Sequence, residues 1–242
     1  MQLNIRHEED FGKLLDSLAD DLVQANIHFR LYEDLKKSIP EFVSIFNESN
    51  AFWHLTFRSH LDATLFRLCR VYDQYNTSLS LLNWLDTIKA NIHIFDVPNF
   101  KKRLKDNPFV ESLASESRRP DEEQLDIDIE FASERNPLVK KLIILRNNLY
   151  AHKSEKNVRL ERDLLKTYPI KHKEIGSLLK DGISILNRYA SLFRAQIFST
   201  QMVGHDDYLH VLNCVKSYLD NLKAEREAEY HRYSEIKNKK TT

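Results

Sequence analysis

The sequence contains few residues that interrupt helices, with only 4 glycines and 6 prolines among 242 residues. It also lacks an internal repeat and any strand-like alternation of useful length. Apolar residues make up 42% of the chain and recur at steps of three and four, which is the spacing of one helical face. The sequence therefore predicts an all-α fold, an up-and-down helical bundle with additional helices.

The chain has no net charge and no long apolar run. The 36 Lys and Arg residues balance the 36 Asp and Glu residues, so no global positive field draws the protein to nucleic acid nonspecifically. Any site for RNA or DNA must therefore be local. The first residues show no basic segment followed by an apolar one, and no run of about 18 apolar residues occurs. We therefore expect a cytoplasmic protein with no membrane partner.

Signatures of metal and cofactor sites are missing as well. The two cysteines, Cys69 and Cys214, lie in separate amphipathic segments without a CxxC neighbour, which indicates reduced packing residues. The sequence has no HExxH, no GxxxxGK[ST] phosphate loop and no paired-carboxylate signature. We therefore expect neither a metal ion nor a cofactor.

Periodicity and turn residues divide the chain into helical segments. Residues 99–120 are mixed and polar, which predicts a loop or a short helix. Residues 121–134 carry seven acidic side chains and no basic one, which predicts an acidic helix. The other predicted helices are 8–37, a long region after the break at 38–40 that ends near 75, 79–93 after a turn at 76–78, 136–153, 175–193 and 208–222.

These helices are expected to form one domain over residues 1–222. Residues 223–242 are charged and nearly devoid of aliphatic side chains, so we expect them to form a frayed C-terminal tail.

The segment 136–153 holds the best candidate for chemistry. It begins with an asparagine and a proline, a helix start of the usual type, and continues with leucines on one face. Ten Lys and Arg residues face four Asp and Glu residues over 137–176, so the local charge is +6. The otherwise apolar helix closes with three polar residues, Arg146, Asn147 and His152.

The spacing of these residues constrains the site. Six helical positions separate Arg146 from His152 by about 120° around the axis and about 9 Å along it. The two side chains therefore do not share a face, although Asn148 and His152 would if the helix persisted. A site that uses both Arg146 and His152 needs the helix to unwind near Tyr150, or a second copy of the helix across a two-fold axis.

These residue types suit cleavage of RNA without a metal ion. A histidine has an ordinary pKa of about 6.5, so His152 can activate a ribose 2′-hydroxyl or protonate the leaving 5′-oxygen near neutral pH. Arg146 can hold a phosphate in a bidentate fork as charge grows in the transition state, and Asn147 can orient either group. A structural interpretation stays open, because Arg or His near a helix C-terminus also complements the helix dipole.

The polar end of this segment resembles a known family motif. Residues 146–152, Arg-Asn-Asn-Leu-Tyr-Ala-His, fit the R-polar-x4-H pattern of the HEPN superfamily. The segments Phe52–Arg58, Arg70–Gln74 and Ser78–Leu82 resemble the AbiU-type abortive-infection branch. The resemblance implies an all-α, HEPN-like bundle and a homodimer. It also implies a metal-independent endoribonuclease of toxin–antitoxin or antiphage defence, with Arg146 and His152 as catalytic residues and Asn147 as their polar companion.

Basic and polar neighbours are expected to contact the RNA substrate near this site. These predicted substrate-binding residues are Lys140, Lys141, Asn148, Lys153 and Lys156. Since some HEPN proteins are noncatalytic, the alternative is a module that binds RNA, a nucleotide or an antitoxin partner. A third interpretation is a purely structural dimerising bundle.

Three further features have competing interpretations. His54, His60 and Asp62 suggest a metal site, but their spacing does not place them on one face. The acidic run 121–134 either masks a basic cleft before RNA arrives or forms a solvated helix face. Three residues of the second helical region either line the cleft or form surface ion pairs: Arg67, Arg70 and Asp73.

Overall fold

The computed structural model describes residues 2–147 and 169–239, and the predicted site residues Asn148, His152, Lys153 and Lys156 lie outside these ranges. No β-strand occurs within them, so the all-α fold class is confirmed. The described helices are α1 (Glu8–Ser38), α2 (Val43–Glu48), α3 (Asn50–Val71), α4 (Leu81–Ala90), α5 (Val97–Arg103), α6 (Val110–Leu113), α7 (Glu122–Ala132), α8 (Pro137–Leu145), α9 (His172–Arg194) and α10 (Asp207–Lys239), with a 3₁₀ helix at Ile92–Phe95.

Side-chain caps define several helix starts. The Asp121 carboxylate accepts a hydrogen bond from the backbone N–H of Gln124 at 2.9 Å, and the Asn136 side chain accepts one from Leu138 at 3.0 Å. These caps satisfy backbone donors that the first helical turn leaves without partners. The predicted starts of the acidic helix and of α8 are therefore confirmed. At α4 the cap is Ser80, two residues beyond the predicted turn at 76–78.

The long helical region predicted up to about residue 75 is divided and shorter. The backbone leaves helical angles at Ser49, which separates α2 from α3. Helix α3 ends at Val71, and the Asp73 carboxylate then accepts a hydrogen bond from the backbone N–H of Tyr75 at 3.0 Å. This local turn competes with helix continuation and ends the element before residue 75.

The chain divides into two compact units. One combines Met1–Phe29 with His60–Thr200, and the other combines Arg30–Ser59 with Gln201–Thr242. Helix α10 continues to Lys239, beyond residue 222, where the sequence places the start of the tail. The boundaries of the predicted single domain stay a prediction.

An aromatic cluster from α1, α4 and α9 lies in the core of the larger unit. The Phe11 ring stacks on the Trp84 ring at 5.6 Å and meets the Phe193 ring edge-on at 4.8 Å. Trp84 in turn meets Tyr189 edge-on at 6.0 Å, and all four side chains are buried. Burial of such large apolar surfaces is the main favourable term in folding.

The smaller unit has its own core. Phe46 packs against Trp53 at a ring distance of 4.7 Å. The buried members of this core come from the second part of α1, from α2 and its preceding turn, and from α10: Leu35, Phe42, Ile45, Phe46 and Leu212. Among the described helices, none combines the length and the apolar character needed to cross a lipid bilayer.

A close approach between helices involves Gly182 of α9. The buried Tyr72 hydroxyl donates a hydrogen bond to the Leu178 carbonyl at 2.7 Å. A methyl group at Gly182 would lie 2.9 Å from that hydroxyl oxygen and 3.0 Å from Cδ2 of Leu22. Gly182 therefore lets Tyr72 and Leu22 pack directly on the α9 backbone.

We predict that Gly182→Ala destabilises the protein by about 1–3 kcal/mol, because the added methyl overpacks this contact. The free energy of unfolding is measured by urea denaturation. Gly176→Ala is the matched control on the same helix, since its methyl would meet Phe29 at an ordinary 3.6 Å. We expect the control to be neutral or up to about 1 kcal/mol more stable. Equal stabilities for the two variants would contradict the packing argument.

Candidate functional site

Arg146 lies at the end of α8. The helix is regular from Pro137 to Leu145, and its face of Val139, Leu142 and Leu145 is buried. Arg146 and Asn147 continue the chain in π-helical geometry, a local widening that often accompanies functional sites. The burial of Val139, Leu142 and Leu145 fixes the rotation of α8 about its axis. The side chain of Arg146 therefore projects in one defined direction.

A buried carboxylate from another element holds the Arg146 side chain. Nη1 of Arg146 lies 2.8 Å from Oδ1 of Asp73, and the two side chains are 31% and 10% exposed. The same oxygen accepts the backbone hydrogen bond from Tyr75. Opposite charges this close attract each other more strongly in a partly buried site than at the surface, because less water screens them. The guanidinium group is therefore fixed in position, with part of its surface open to solvent. The Asn147 side-chain oxygen lies 3.5 Å from Nη1 at the exposed side.

The segment that carries Asp73 is itself anchored on both sides. The Gln74 amide donates hydrogen bonds to the carbonyls of Tyr72 at 2.9 Å and Ala132 at 3.0 Å, so it ties the end of α3 to the end of α7. The Asn83 amide of α4 donates to the Tyr75 carbonyl at 2.8 Å. Because these bonds restrain the backbone around Asp73, they also restrain the carboxylate that holds Arg146.

Cys69 lies beside this ion pair. Its sulfur is buried, 3.8 Å from the Leu142 carbonyl. Burial raises the pKa of the Cys69 thiol to about 12, while the nearby Arg146 charge opposes the rise and the Asp73 charge adds to it. Cys69 is therefore an uncharged packing residue at neutral pH, as the sequence predicts.

Only part of the predicted substrate-binding set lies in the described ranges. Lys140 is exposed on α8. Lys141 is paired with Glu174 of α9 at 2.6 Å. The pKa of Glu174 is lowered, first by the hydrogen bond from Lys141 and then by the one from the Lys171 backbone. The charge of Lys141 thus joins α8 to α9 and faces a carboxylate before any phosphate is present.

The structure separates the three residues offered as cleft-lining candidates. Arg67 and Arg70 pair with Asp21 of α1, at 2.9 and 3.1 Å, so they form interhelical ion pairs and do not reach Arg146. Asp73 alone contacts Arg146. The Arg70–Gln74 segment is visible in the sequence, but the sequence does not show which distant cation Asp73 faces.

His60, which the sequence groups with His54 and Asp62 as a candidate metal site, lies beside His28. The Nδ1 atom of His60 lies 2.9 Å from Nδ1 of His28. Burial lowers the pKa of both imidazoles, with a smaller effect from Arg67 on His28 and from His28 on His60. One ring must donate and the other accept, so the pair is compatible with neutral histidines. Throughout the two described ranges, no group of three or more His, Cys, Asp or Glu side chains could hold a metal ion.

The acidic helix α7 uses part of its charge in the interior. Asp128 is buried, accepts a hydrogen bond from the Tyr189 hydroxyl at 2.6 Å and pairs with Arg188 of α9. Asp126 pairs with Lys89 of α4 at the surface. Together with the Asp121 cap of α7, these partners give three of the seven carboxylates structural roles. The masking hypothesis for the acidic run stays untested.

Comparison with protein families gives one match. A family model described as AbiU2, of the HEPN type, matches residues 8–213 and thus most of the chain. Comparison with curated proteins and with solved structures gives no significant match.

We predict that Asp73 and Arg146 are energetically coupled by about 1–3 kcal/mol, since the two opposite charges are close together and partly buried. A double-mutant cycle with Asp73→Asn and Arg146→Gln, followed by urea denaturation, measures this coupling. The surface pair Lys101–Glu111 serves as a control, with an expected coupling below about 1 kcal/mol. Coupling at Asp73 no larger than in the control would show that the carboxylate does not hold the guanidinium.

We also predict that a thiol reagent at pH 8 modifies one cysteine per folded chain. Cys214 is exposed and Cys69 is buried. With a pKa of about 12, Cys69 has roughly one thiolate in ten thousand at that pH. A colourimetric thiol titration of native and urea-denatured protein should count one and two thiols, and Cys214→Ser should abolish the native signal. Rapid modification of Cys69 in the folded protein would contradict its buried, uncharged state.

Proposed function

The chain belongs to the AbiU2 family of HEPN proteins, and from this premise we propose that it is a metal-independent endoribonuclease of a phage-defence or toxin–antitoxin system. The observation that carries the proposal is the Arg146 guanidinium, which is partly exposed and fixed by the buried Asp73 carboxylate. It lies at the first position of the Arg146–His152 pattern. A preorganised cation of this kind is what a reaction with growing phosphate charge requires.

The proposed role of Arg146 is to bind the scissile phosphate. A guanidinium has five N–H donors, so the Nη1 contact with Asp73 leaves others to address phosphate oxygens. Asp73 is a positioning residue in this scheme, because it acts through Arg146. Its carboxylate also reduces the local positive charge, which favours directed hydrogen bonding over nonspecific attraction. Asn147, on the exposed side of Arg146, orients the same phosphate.

The proton transfers belong to His152. One imidazole removes the proton of a ribose 2′-hydroxyl, and the 2′-oxygen then bonds to the adjacent phosphorus. The bond from phosphorus to the 5′-oxygen breaks, and a protonated imidazole gives that oxygen its proton. The products are a 2′,3′-cyclic phosphate and a free 5′-hydroxyl. The scheme needs one neutral and one protonated histidine, which near-neutral pH supplies.

A homodimer supplies both histidines. Since a straight helix directs Arg146 and His152 about 120° apart, we propose that two copies of the segment meet across a two-fold axis and share one cleft. The exposed Lys140, together with Asn148, Lys153 and Lys156, then attracts the RNA backbone. Lys141 contributes only after it exchanges Glu174 for phosphate. A cytoplasmic antitoxin partner would bind the same polar end.

We predict that the purified protein cleaves single-stranded or tRNA-like RNA in excess chelator, and that Arg146→Ala or His152→Ala lowers the rate at least about a hundredfold. Gel electrophoresis of end-labelled RNA measures the cleavage. Arg135→Ala is the matched control, because this exposed arginine precedes α8 and lies outside the pattern. Equal cleavage by wild type and all variants, or activity only after metal addition, would overturn the mechanism.

A heterodimer tests the composite site directly. Wild-type chains and Arg146→Ala/His152→Ala chains with different tags are co-expressed and purified as a mixed dimer, whose shared cleft retains one arginine and one histidine. Because the scheme needs two histidines, a composite site predicts that this mixed dimer is as inactive as His152→Ala. A site contained in one chain instead keeps the activity of the wild-type chain, and a monomeric mass in solution removes the shared cleft altogether.

A noncatalytic binding module is the second candidate, and the Asp73 contact favours it. An arginine already paired with a buried carboxylate can act as a structural link between α8 and the end of α3. In that case the wild-type protein binds RNA, a nucleotide or an antitoxin and leaves RNA intact. Arg146→Ala then lowers stability without any change in RNA cleavage.

A further inference from the structure

A tyrosine with a largely exposed ring lies next to the pair of Asp73 and Arg146. Oδ1 of Asp73 lies 2.8 Å from Nη1 of Arg146, and the same oxygen accepts a hydrogen bond from the backbone N–H of Tyr75 at 3.0 Å. The Tyr75 backbone and the Arg146 guanidinium therefore meet at one carboxylate oxygen. The contact that holds Arg146 also places Tyr75 beside it.

Hydrogen bonds restrain the Tyr75 backbone on its other side as well. Its carbonyl accepts hydrogen bonds from the Asn83 amide at 2.8 Å, from the Ser78 hydroxyl at 2.8 Å and from the Ser78 backbone N–H at 3.1 Å. Asn83 is buried in α4, so this anchor belongs to the core. Both the N–H and the C=O of Tyr75 thus have partners, and the side chain projects from a restrained backbone.

The Tyr75 ring lies outside the core, in contrast to its neighbour Tyr72. Tyr72 is 1% exposed and donates its hydroxyl hydrogen to the Leu178 carbonyl, whereas Tyr75 is 66% exposed. The backbone hydrogen bonds of Tyr75 do not require a tyrosine, since every residue except proline supplies the same N–H and C=O. The fold therefore uses the backbone of Tyr75 and leaves most of its ring open to solvent.

A fixed cation and an exposed aromatic ring are the two groups that bind single-stranded RNA. The cation holds a phosphate, and the face of the ring stacks on an unpaired base. Tyrosine suits this contact because it is rigid and loses little conformational entropy when it is immobilised. Asn147, whose side-chain oxygen lies 3.5 Å from Nη1 of Arg146, adds a polar group on the exposed side.

From this juxtaposition we infer that Tyr75 stacks on a nucleobase of the RNA, next to the phosphate that Arg146 holds. The inference rests on the proposed role of Arg146 and adds a substrate-binding residue to it. Tyr75 lies between the segments Arg70–Gln74 and Ser78–Leu82, which resemble the family, and belongs to neither. A base within a duplex is stacked on both faces and cannot reach the ring, so Tyr75 selects unpaired nucleotides.

Binding of an uncleavable RNA tests this inference without catalysis. The probe is fluorescent 2′-O-methyl oligoadenylate, whose blocked 2′-oxygen cannot attack the phosphate. The comparison strand is abasic, with the same length and the same phosphates. By fluorescence anisotropy, we expect wild type to bind the adenine strand at least about tenfold more tightly than the abasic strand. Tyr75→Ala should remove this preference, and Tyr75→Phe should keep it because its ring also stacks.

The matched control is Tyr233→Ala, which removes a tyrosine of equal exposure, 67%, from α10. It should bind both strands as wild type does. Circular dichroism checks that Tyr75→Ala folds, which we expect because alanine retains the backbone hydrogen bonds. Four results would overturn the inference: no binding of either strand, equal binding of both by wild type, an unchanged preference in Tyr75→Ala, or an equal loss of preference in the control.

Cleavage assays with the same variants separate this inference from the nuclease proposal. Tyr75→Ala should lower kcat/KM at least about tenfold, chiefly by raising KM, because stacking binds the substrate before the reaction and throughout it. If wild type leaves RNA intact while the preference for bases still depends on Tyr75, the nuclease proposal fails and the stacking contact stands. If wild type cleaves RNA and Tyr75→Ala binds and cleaves equally well, the stacking contact fails and the nuclease proposal stands.

Discussion

Among the described residues of the larger unit, three carboxylates lie buried. Each must be compensated because an isolated charge inside a protein is strongly unfavourable. In every case the compensating arginine comes from a different part of the chain. A slide of one helical turn in either partner would leave a charge without its counterion. These pairs therefore select one register among several apolar packings. They are Asp21 with Arg67 and Arg70, Asp73 with Arg146, and Asp128 with Arg188.

The pair between Asp73 and Arg146 joins the packing of the unit to the proposed role of Arg146. Asp73 belongs to the connection between α3 and α4, and the Gln74 amide bonds that connection to the end of α7. Arg146 is the first residue of the family pattern at the end of α8. The contact that completes the packing of these elements thus also orients the guanidinium. A substitution of Arg146 changes both the packing of these elements and the position of the guanidinium. Conservative variants and the measured coupling energy are therefore needed to separate the two effects.

Helix α9 organises the charged features of the unit along its length. Near its start, Glu174 bonds Lys141 of α8 and Leu178 accepts from Tyr72. In its middle, Arg188 compensates the buried Asp128. At its end, Arg194 pairs with Asp16 of α1. Helix α9 therefore contacts α1, α7 and α8 through charged pairs along its length.

Local sequence determined the helical class, the starts of α7 and α8, the burial of Leu142 and Leu145 and the place of Arg146 at the end of α8. These features depend on capping and on spacing within a few residues, which a sequence displays directly. The sequence did not predict the ends of α3 or the division at Ser49. A side chain such as Asp73 can stop a helix that the apolar periodicity would continue.

The tertiary structure alone decided which charges meet. Spacing placed Asp73 on the same helical region as Arg67 and Arg70, yet only Asp73 reaches Arg146. Arg103 of α5 and Glu8 of α1 also form an ion pair, although 95 positions separate them in the sequence. Helical periodicity reports which side of a helix is buried, but it does not identify the opposing helix. The partner of a charge is set by long-range packing, because the free energy of burial selects whichever distant group compensates it.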